Sequence, residues 1–522
     1  MRNASSIQSE NGMAHSSPSF SSFDFEKLSS WALAALIGYA AVRNVFEALT
    51  KPFWYDEICT WVIVHQPGVS RMWEALAHAV DGQPLGYYLL ERLASVFVVN
   101  EQISFRIPSI LGLAVVTLCL FLFVKLRSNS LTAFICAAIP LFTVLFDPYA
   151  VEARPYSVVV ACIAFALVCY QRAPAIPWLI LMGASFALAQ AFHYYAIVSF
   201  FPFIVSESVL LVRRRKLRWT VWLAFSSGLL PLAGFWSLLS KFRAYYGSHY
   251  WAVPSLDGAK SSYGWFFNLS PAWGLNIAGL AVIMVLVKLL FDMRRHTGAE
   301  YAGVDLVHER TLALGFLALP FVGFIVSDLA HGGMTVRYVM PTILGFPLAA
   351  GYVLPPIKRK SVALIGILAL LLAFTLQERR FWVSYPRIFV SPADSVQELV
   401  ASAGHPDLPV VVSHPHDFLQ LAHYASPDWR GRFVSVVDPV EAVIYTGSDT
   451  ADRELQVMRD YTPLQVYDFD EFARVHPAFL LYSSNAGMGL DWWGIKLFRS
   501  GYKLKLVAMK DFYHRVFLVT QK

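Results

Sequence analysis

Two acids, Asp56 and Glu57, stand side by side in the run KPFWYDEICTW at residues 51–61. Aromatic side chains surround them, and a long apolar stretch ends just before them. A carboxylate in such a half-dry place is a candidate proton acceptor, because loss of water disfavours its charged form and raises its basicity. Further on come FDPYAVEARPYS at 146–157, with Asp147, Glu152 and Arg154, and AFHYYA with His193, Tyr194 and Tyr195. KFRAYYGSHYW at 241–251 and SDLAHGGMTVRY at 327–338 follow, the latter ending in Arg337 and Tyr338. Acids come from the early segments, bases and aromatics from the later ones. Brought together, they would make a site acidic on one side and cationic on the other. Such a site suits a reaction in which a hydroxyl loses its proton while a phosphate departs.

The elements that must position these groups are membrane helices. Of the 522 residues, 56% are hydrophobic and only 15% charged, against about 25% charged in ordinary soluble domains. The net charge of +6 reflects basic cytosolic loops rather than a nucleic-acid surface. A span needs about 20 mostly apolar residues. Candidate spans are 29–49, 106–124, 131–147, 155–171, 176–192, 194–212, 219–239, 273–291, 311–328, 338–355 and 361–377, about eleven in all. Pro140, Pro202, Pro231 and Pro341 are expected to be tolerated inside them. Arg43 and Glu47, at i, i+4 spacing in the first span, are expected to neutralise each other.

If the spans alternate, the basic residues fall on one side. They are Lys125 and Arg127, Arg172, the run Arg213 to Arg218, Arg294 and Arg295 with Arg310, and Lys358 to Lys360. That bias makes their side cytosolic and turns Asp56, Glu57 and the other candidate groups outward. Residues 1–27 read as a disordered cytoplasmic tail. Residues 28–377 form the membrane part, with a periplasmic loop at 50–105 holding two amphipathic segments along the interface. Residues 378–522 read as an extracytoplasmic α/β domain. Strands are expected at 408–414, 432–437, 478–483, 502–509 and 514–521, and a helix at 449–461. The five cysteines lack metal-ligand spacing, so neither disulfide nor zinc is expected. HPHD at 414–417 reads as a turn with exposed histidines rather than a metal site.

WYDE after the first span, DGQPLGYYLLER at 81–92, FRIPS at 105–109, EARPY at 152–156, FHYY at 192–195 and VRY at 336–338 occur in that order. Together they resemble the GT-C membrane glycosyltransferases, closest to family 39 with its protein O-mannosyltransferase-like and lipid-A aminoarabinose transferase-like members. The resemblance covers 29–355. Where that family often has a histidine-proline pair, this chain has Gln83-Pro84. The resemblance implies transfer of a sugar from a polyprenyl-phosphate carrier to an acceptor hydroxyl, with inversion, on the outer face of the cytoplasmic (inner) membrane. It implies Asp56 as general base with Glu57 beside it. It further implies Asp81, Tyr87, Arg106, Glu152, Arg154, Tyr156, His193, Tyr194, Arg337 and Tyr338 as substrate-binding residues. Arg337 and Arg154 would hold the phosphate, and Glu152 would orient the acceptor or pair with Arg154. No cofactor or metal is expected. The partners would be a polyprenyl-phosphate-sugar donor, a lipid, glycan or protein acceptor, and membrane lipids, with no nucleic acid.

Two other readings stand beside this one. A polytopic transporter or flippase would put ionisable residues near the membrane midplane and show internal repeats; here the spans are nearly uncharged and no repeat is visible. An envelope polysaccharide polymerase or ligase would depend on basic residues in a large outer loop.

Overall fold

The computed structural model describes residues 25–143, 145–267, 307–353, 367–383 apart from 369, 370, 373, 377 and 380, and then 385–484 and 492–521. Three helices are long and apolar enough to cross a membrane: Glu26–Thr50, Glu101–Lys125 and Tyr194–Arg214. Two further pairs meet that test together but bend, Trp219–Gly234 with Trp236–Tyr246 by 54° and Val307–Leu317 with Leu319–Leu329 by 60°. Ser130–Phe142, Tyr156–Gln171 and Ile176–Phe192 are apolar but shorter. The described residues thus supply three to five candidate spans, and the expected count of about eleven is not reached on them. The span expected at 273–291 lies outside the described residues, as does much of 361–377.

The prolines explain part of the shortfall. Each expected mid-span proline marks a change in helix geometry, although the span Tyr194–Arg214 runs on through Pro202. Pro140 lies in the 3-10 turn Ile139–Phe142, Pro202 opens the α-helix Phe201–Arg214, and Pro231 opens the short helix Leu230–Gly234. Pro341 lies within the 3-10 segment Val336–Leu344. A proline ring clashes with the carbonyl four residues back and removes a hydrogen bond, so the chain restarts there. Close helix crossings hold the pieces together. A side chain at Gly112 would meet the Ser157 hydroxyl at 2.8 Å, which lets Ile107–Lys125 lie against Tyr156–Gln171.

The loop at 50–105 is itself helical, as Tyr55–Val64, Val69–Ala77 and Leu85–Phe97. The last buries Leu85, Tyr87, Tyr88 and Glu91 and exposes Leu93, Val96 and Phe97, as an amphipathic segment should.

Beyond residue 385 the chain forms a six-stranded sheet of β1 (Val410–Val412), β2 (Phe433–Val437), β3 (Val466–Asp468), β4 (Ala478–Ser483), β5 (Lys503–Met509) and β6 (Arg515–Thr520), in the order β3-β2-β1-β4-β6-β5. The first four are parallel, and β6 runs antiparallel between β4 and β5. β1 and β2 are buried throughout, which accounts for their unbroken apolar runs. All five expected strands form, and so does the helix Thr450–Met458. The sixth strand, β3, has only three residues and no readable alternation.

Candidate active site

The two adjacent acids occupy the first turn of Tyr55–Val64, and that placement accounts for the pair. Glu57, at the third helical position, accepts from the Trp54 backbone N–H at 3.2 Å and so caps the helix. Both charges also favour the positive end of the helix dipole. Beyond that the two side chains part company.

Glu57 is fully buried and held on every side. Arg106 Nε and Nη2 reach its two oxygens at 2.8 and 2.7 Å, and the Ala153 N–H donates at 2.8 Å. Arg106 is equally enclosed, donating also to the carbonyls of Ala48, Lys51 and Pro52 and to Gln102. Burial would raise the Glu57 pKa, but the Arg106 charge and hydrogen bonds outweigh it and hold it below the usual range. Glu57 and Arg106 were expected to face the reaction, one as a catalytic group and one as a substrate contact. The structure makes them a structural clamp with no group to spare.

The clamp shows what the short motifs do. Arg106 of FRIPS ties down WYDE through Glu57. Ser109 of the same motif donates to the carbonyls of Glu152 and Arg154 at 2.6 and 3.2 Å, tying down EARPY.

Asp56 faces the other way. Arg337 Nη1 lies 2.7 Å from its Oδ2, and Arg154 Nε lies 3.8 Å from the same oxygen. The outcome for its basicity reverses the expectation. Burial pushes the Asp56 pKa up, as foreseen, but the charges of Arg337 and Arg154 push harder, and the carboxyl sits below its ordinary value. The Arg337 guanidinium is ringed by Trp54, Tyr156 and Trp251, with centroids at 6.0, 5.8 and 5.3 Å. Its Nε, the Trp54 indole N–H and the Tyr156 hydroxyl are buried and make no hydrogen bond among the described residues. Donors with nothing to bind, around a cation, are the setting for an anion.

Arg154 is more committed than expected. It grips Asp81, with Nη1 to Oδ2 at 2.5 Å and Nη2 to Oδ1 at 3.3 Å, and touches the Asp56 carbonyl and Thr60. Asp81 is therefore spent as a partner for Arg154 rather than free to bind substrate. Glu152 does not pair with Arg154. Its cation is Lys51, at 3.6 Å, and its Oε2 has no hydrogen-bond partner. Burial, offset in part by Lys51, pushes the Glu152 pKa to about 7.

Tyr338 lies across from Tyr156. It stacks on Tyr195 at 4.7 Å and shares a hydrogen bond with Tyr250 at 3.2 Å. His193 sits between Tyr156 and Tyr338, 5.5 and 5.2 Å from their rings. Its Nδ1 accepts from the Tyr195 N–H at 3.0 Å, and burial beside Arg154 and Arg337 lowers its pKa to about 3, so the ring is neutral. Two expected contacts are not brought to Asp56. Tyr87 is wholly buried beside Tyr88 and Glu91, and Tyr194 is buried, while it is its neighbour Tyr195 that stacks on Tyr338.

All five segments expected to lie outward thus contribute to one cluster, through Asp56, Glu152, His193, Trp251 and Arg337. Segments expected to lie inward make clusters of their own. Arg127 binds Glu309 at 2.6 Å with the Tyr352 hydroxyl at 2.9 Å, and Arg218 pairs with Glu207.

Asp147 is absent from the site because Arg43 holds it at 2.6 and 2.8 Å. Arg43 was expected to answer Glu47, which lies farther off at 4.0 Å.

The C-terminal sheet adds two groups that were not expected at the site. His416, in the helix Pro415–Tyr424 that follows β1, packs on Tyr55 at 4.4 Å. Glu454, in Thr450–Met458, accepts from Tyr55 and Cys59. HPHD is therefore no exposed turn: His414 is buried and His416 lies against the site. Among the described residues no three His, Cys, Asp or Glu side chains gather as metal ligands would.

Residues 78–239 match the family described as dolichyl-phosphate-mannose-protein mannosyltransferase. That match falls within the stretch carrying the GT-C resemblance and agrees with it. No curated protein matches the chain in sequence. Among solved structures, ArnT from Cupriavidus metallidurans in the apo state is 13% identical, with 94% of this chain and 98% of that one covered and a TM-score of 0.42. The same protein bound to undecaprenyl phosphate is 15% identical over the same shares, with a TM-score of 0.41. The oligosaccharyltransferase AglB from Archaeoglobus fulgidus, in complex with an inhibitory peptide and a dolichol-phosphate, is 9% identical. It covers 91% of this chain and 73% of its own, with a TM-score of 0.45.

Proposed function

We propose that the chain transfers a sugar from a polyprenyl-phosphate carrier to an acceptor hydroxyl, inverting the anomeric carbon, at the outer face of the cytoplasmic membrane. The observation that carries this reading is the buried contact of Arg337 with Asp56 at 2.7 Å, amid donors that have no partner of their own. The family match over 78–239 supports the class of donor. The Lys/Arg bias of the loops supports the orientation.

In the proposed step the acceptor oxygen attacks C1 of the sugar. The bond from C1 to the phosphate oxygen breaks, its electron pair leaves with the carrier phosphate, and the acceptor's proton passes to Asp56. The depressed pKa of Asp56 keeps it ionised and ready to accept that proton. It also makes Asp56 a weak base while Arg337 is its partner. A phosphate at Arg337 would compete for the guanidinium and leave burial as the main influence on Asp56, so that donor binding itself would raise the basicity needed. A phosphate monoester leaves without protonation if positive charge meets it, and Arg337 supplies that charge bidentately. Arg154 acts behind it by fixing Asp81 and the Asp56 backbone.

The test is turnover of a polyprenyl-phosphate-linked sugar in membranes carrying the wild type, Asp56→Asn or Arg337→Ala. Asp56→Asn should lower turnover by about 10²–10⁴, the usual worth of a positioned general base. Turnover within threefold of wild type would remove Asp56 from the step.

A further inference from the structure

The helix Tyr55–Val64 must hold Asp56 at one angle about its own axis. Successive residues of an α-helix stand about 100° apart, so Tyr55 and Glu57 lie on opposite flanks of Asp56, and Cys59 shares the Tyr55 flank. The Glu57 flank is fixed from within the membrane part. Arg106 and the Ala153 N–H hold Glu57, and Thr60 donates to the Ala153 carbonyl at 3.0 Å. The Tyr55 flank is held from the C-terminal sheet. Glu454, on the helix Thr450–Met458, accepts from the Tyr55 hydroxyl through Oε2 at 2.9 Å and from the Cys59 thiol through Oε1 at 3.1 Å. Both of its oxygens are thereby committed, and both partners are buried.

The same helix reaches the opposite wall of the site. One turn before Glu454, Thr450 Oγ1 accepts from the Trp251 N–H at 3.1 Å. The next carbonyl, that of Ala252, accepts at 2.9 Å from the N–H of Met334, three residues ahead of Arg337. Thr450–Met458 is thus a strut between the wall that carries Asp56 and the wall that leads to Arg337. The 2.7 Å contact of Arg337 with Asp56 closes the circle. A phosphate that takes the guanidinium opens it, and the angle of Asp56 then depends on the two flanks. Arg154 meets the Asp56 carbonyl at 3.2 Å, but a backbone carbonyl lies near the helix axis and resists roll weakly. From the helix Pro415–Tyr424, Tyr424 and Gln420 bond the backbone of Phe53 at 2.6 and 2.9 Å, which fixes the entry of the chain rather than its roll. A side-chain tip stands about 5–6 Å from the axis, so a roll of about 20° carries it about 2 Å.

Resting on the transferase reading above, we propose that Glu454 is a positioning residue for the transfer: through Tyr55 and Cys59 it stops the helix from rolling once the donor phosphate has drawn Arg337 away, and so keeps the Asp56 carboxylate in line with the acceptor hydroxyl. Glu454 itself touches no reacting atom.

The test compares wild type with Glu454→Leu, Glu454→Gln and Tyr55→Phe in the full chain. Glu454→Gln keeps an acceptor for Tyr55 and a donor towards the Cys59 sulfur, and Tyr55→Phe keeps the bulk and loses one bond. Three quantities are read: release of polyprenyl phosphate in native membranes, affinity for farnesyl phosphate in nanodiscs, and amide hydrogen exchange of residues 55–64 in the same nanodiscs. Glu454→Leu should lower release about 10–100-fold, as a misplacement of about 1 Å or more does, and Tyr55→Phe at least about fivefold. Glu454→Gln should stay within threefold. Farnesyl phosphate affinity should stay within threefold in all three, because Arg337 is left in place; that also shows that each variant has folded. Exchange over 55–64 should rise at least about tenfold in Glu454→Leu and stay at the wild-type rate in Glu454→Gln.

Release within threefold of wild type in both Glu454→Leu and Tyr55→Phe would overturn the proposal. So would a loss in Glu454→Gln as large as in Glu454→Leu, or a fall in farnesyl phosphate affinity that matches the fall in release. Unchanged exchange over 55–64 in Glu454→Leu would overturn it without any turnover. Wild-type membranes that release no polyprenyl phosphate, with the exchange pattern as expected, would sink the transferase reading alone and leave Glu454 as the residue that fixes the angle of Asp56.

Discussion

Breaking the Glu57–Arg106 clamp should destabilise the chain far more than its distance from any reacting atom suggests. Both side chains have no exposed surface, and the pair shares two hydrogen bonds of 2.7–2.8 Å. Removing one partner strands a buried charge, at a cost of about 3–5 kcal/mol. Glu57→Gln keeps the shape but turns an amide towards the guanidinium, and should cost about 2–3 kcal/mol, the worth of a charge-assisted bond. Glu57→Leu and Arg106→Met should each cost about 3–5 kcal/mol on its own. In the double variant Glu57→Leu with Arg106→Met neither charge is left without a partner, so its cost should fall short of the summed single losses by at least about 2 kcal/mol. The measurement is unfolding in dodecyl maltoside by titration with dodecyl sulfate, followed by tryptophan fluorescence. The pH dependence gives a second check. Because the Glu57 pKa is depressed in the folded chain, its stabilisation is present above the unfolded value of about 4.3 and is lost as pH falls through the folded one. Glu57→Gln should flatten that acid limb. Additive single losses, or a Glu57→Gln cost under about 0.5 kcal/mol, would refute the reasoning.

Arg337→Lys should lower carrier-sugar turnover at least tenfold although it keeps the charge, because an ammonium cannot hold a carboxylate or phosphate in a planar fork; steady-state turnover in membranes reads this. Glu91 is fully buried with no cation beside it, and burial drives its pKa well above the usual range. Glu91→Gln should therefore leave the melting temperature within about 2 °C, measured by a thermal ramp in detergent. Glu152 and Glu454, raised to about 7 and about 8 from an ordinary 4.5, hold protons that the unfolded chain has released. Stability should therefore decline as pH rises from about 4.5 to 8, and the double variant Glu152→Gln with Glu454→Gln should decline less in the same dodecyl sulfate titration.

The cluster around Asp56 was legible in the sequence because alternation of spans and loop charge groups residues on one side before any contact is known. Asp56, Glu152, His193 and Arg337 do meet. What each acid does was not legible. Asp56 and Glu57 are identical to a pattern that sees only type and spacing, yet the helix turn sends one to Arg337 and the other to Arg106. The direction of the Asp56 shift failed for a related reason: burial can be read from neighbouring aromatics, whereas cations about 100 and 280 residues away along the chain cannot. The strands of the C-terminal sheet were readable from their apolar runs. The places of Glu454 and His416 were not, because Glu454 looks like an ordinary residue of a charged helix and His416 like part of an exposed turn until the sheet is set against the membrane part. Pro202 is tolerated within the span Tyr194–Arg214, as expected, whereas the helix that Pro140 enters stops at Phe142, because a proline's effect depends on whether a neighbour re-satisfies the freed carbonyls.

Tyr55 and Cys59 bind the tail through Glu454, and Asp56 sits between them on the same turn. Grafting a foreign tail onto this membrane part would therefore disturb the floor on which Asp56 stands, even with every loop left native. Engineers who build such chimeras should carry residues 55 and 59 across with the donor's tail, as one cassette. A junction drawn at the end of the last membrane helix would cut through a working unit.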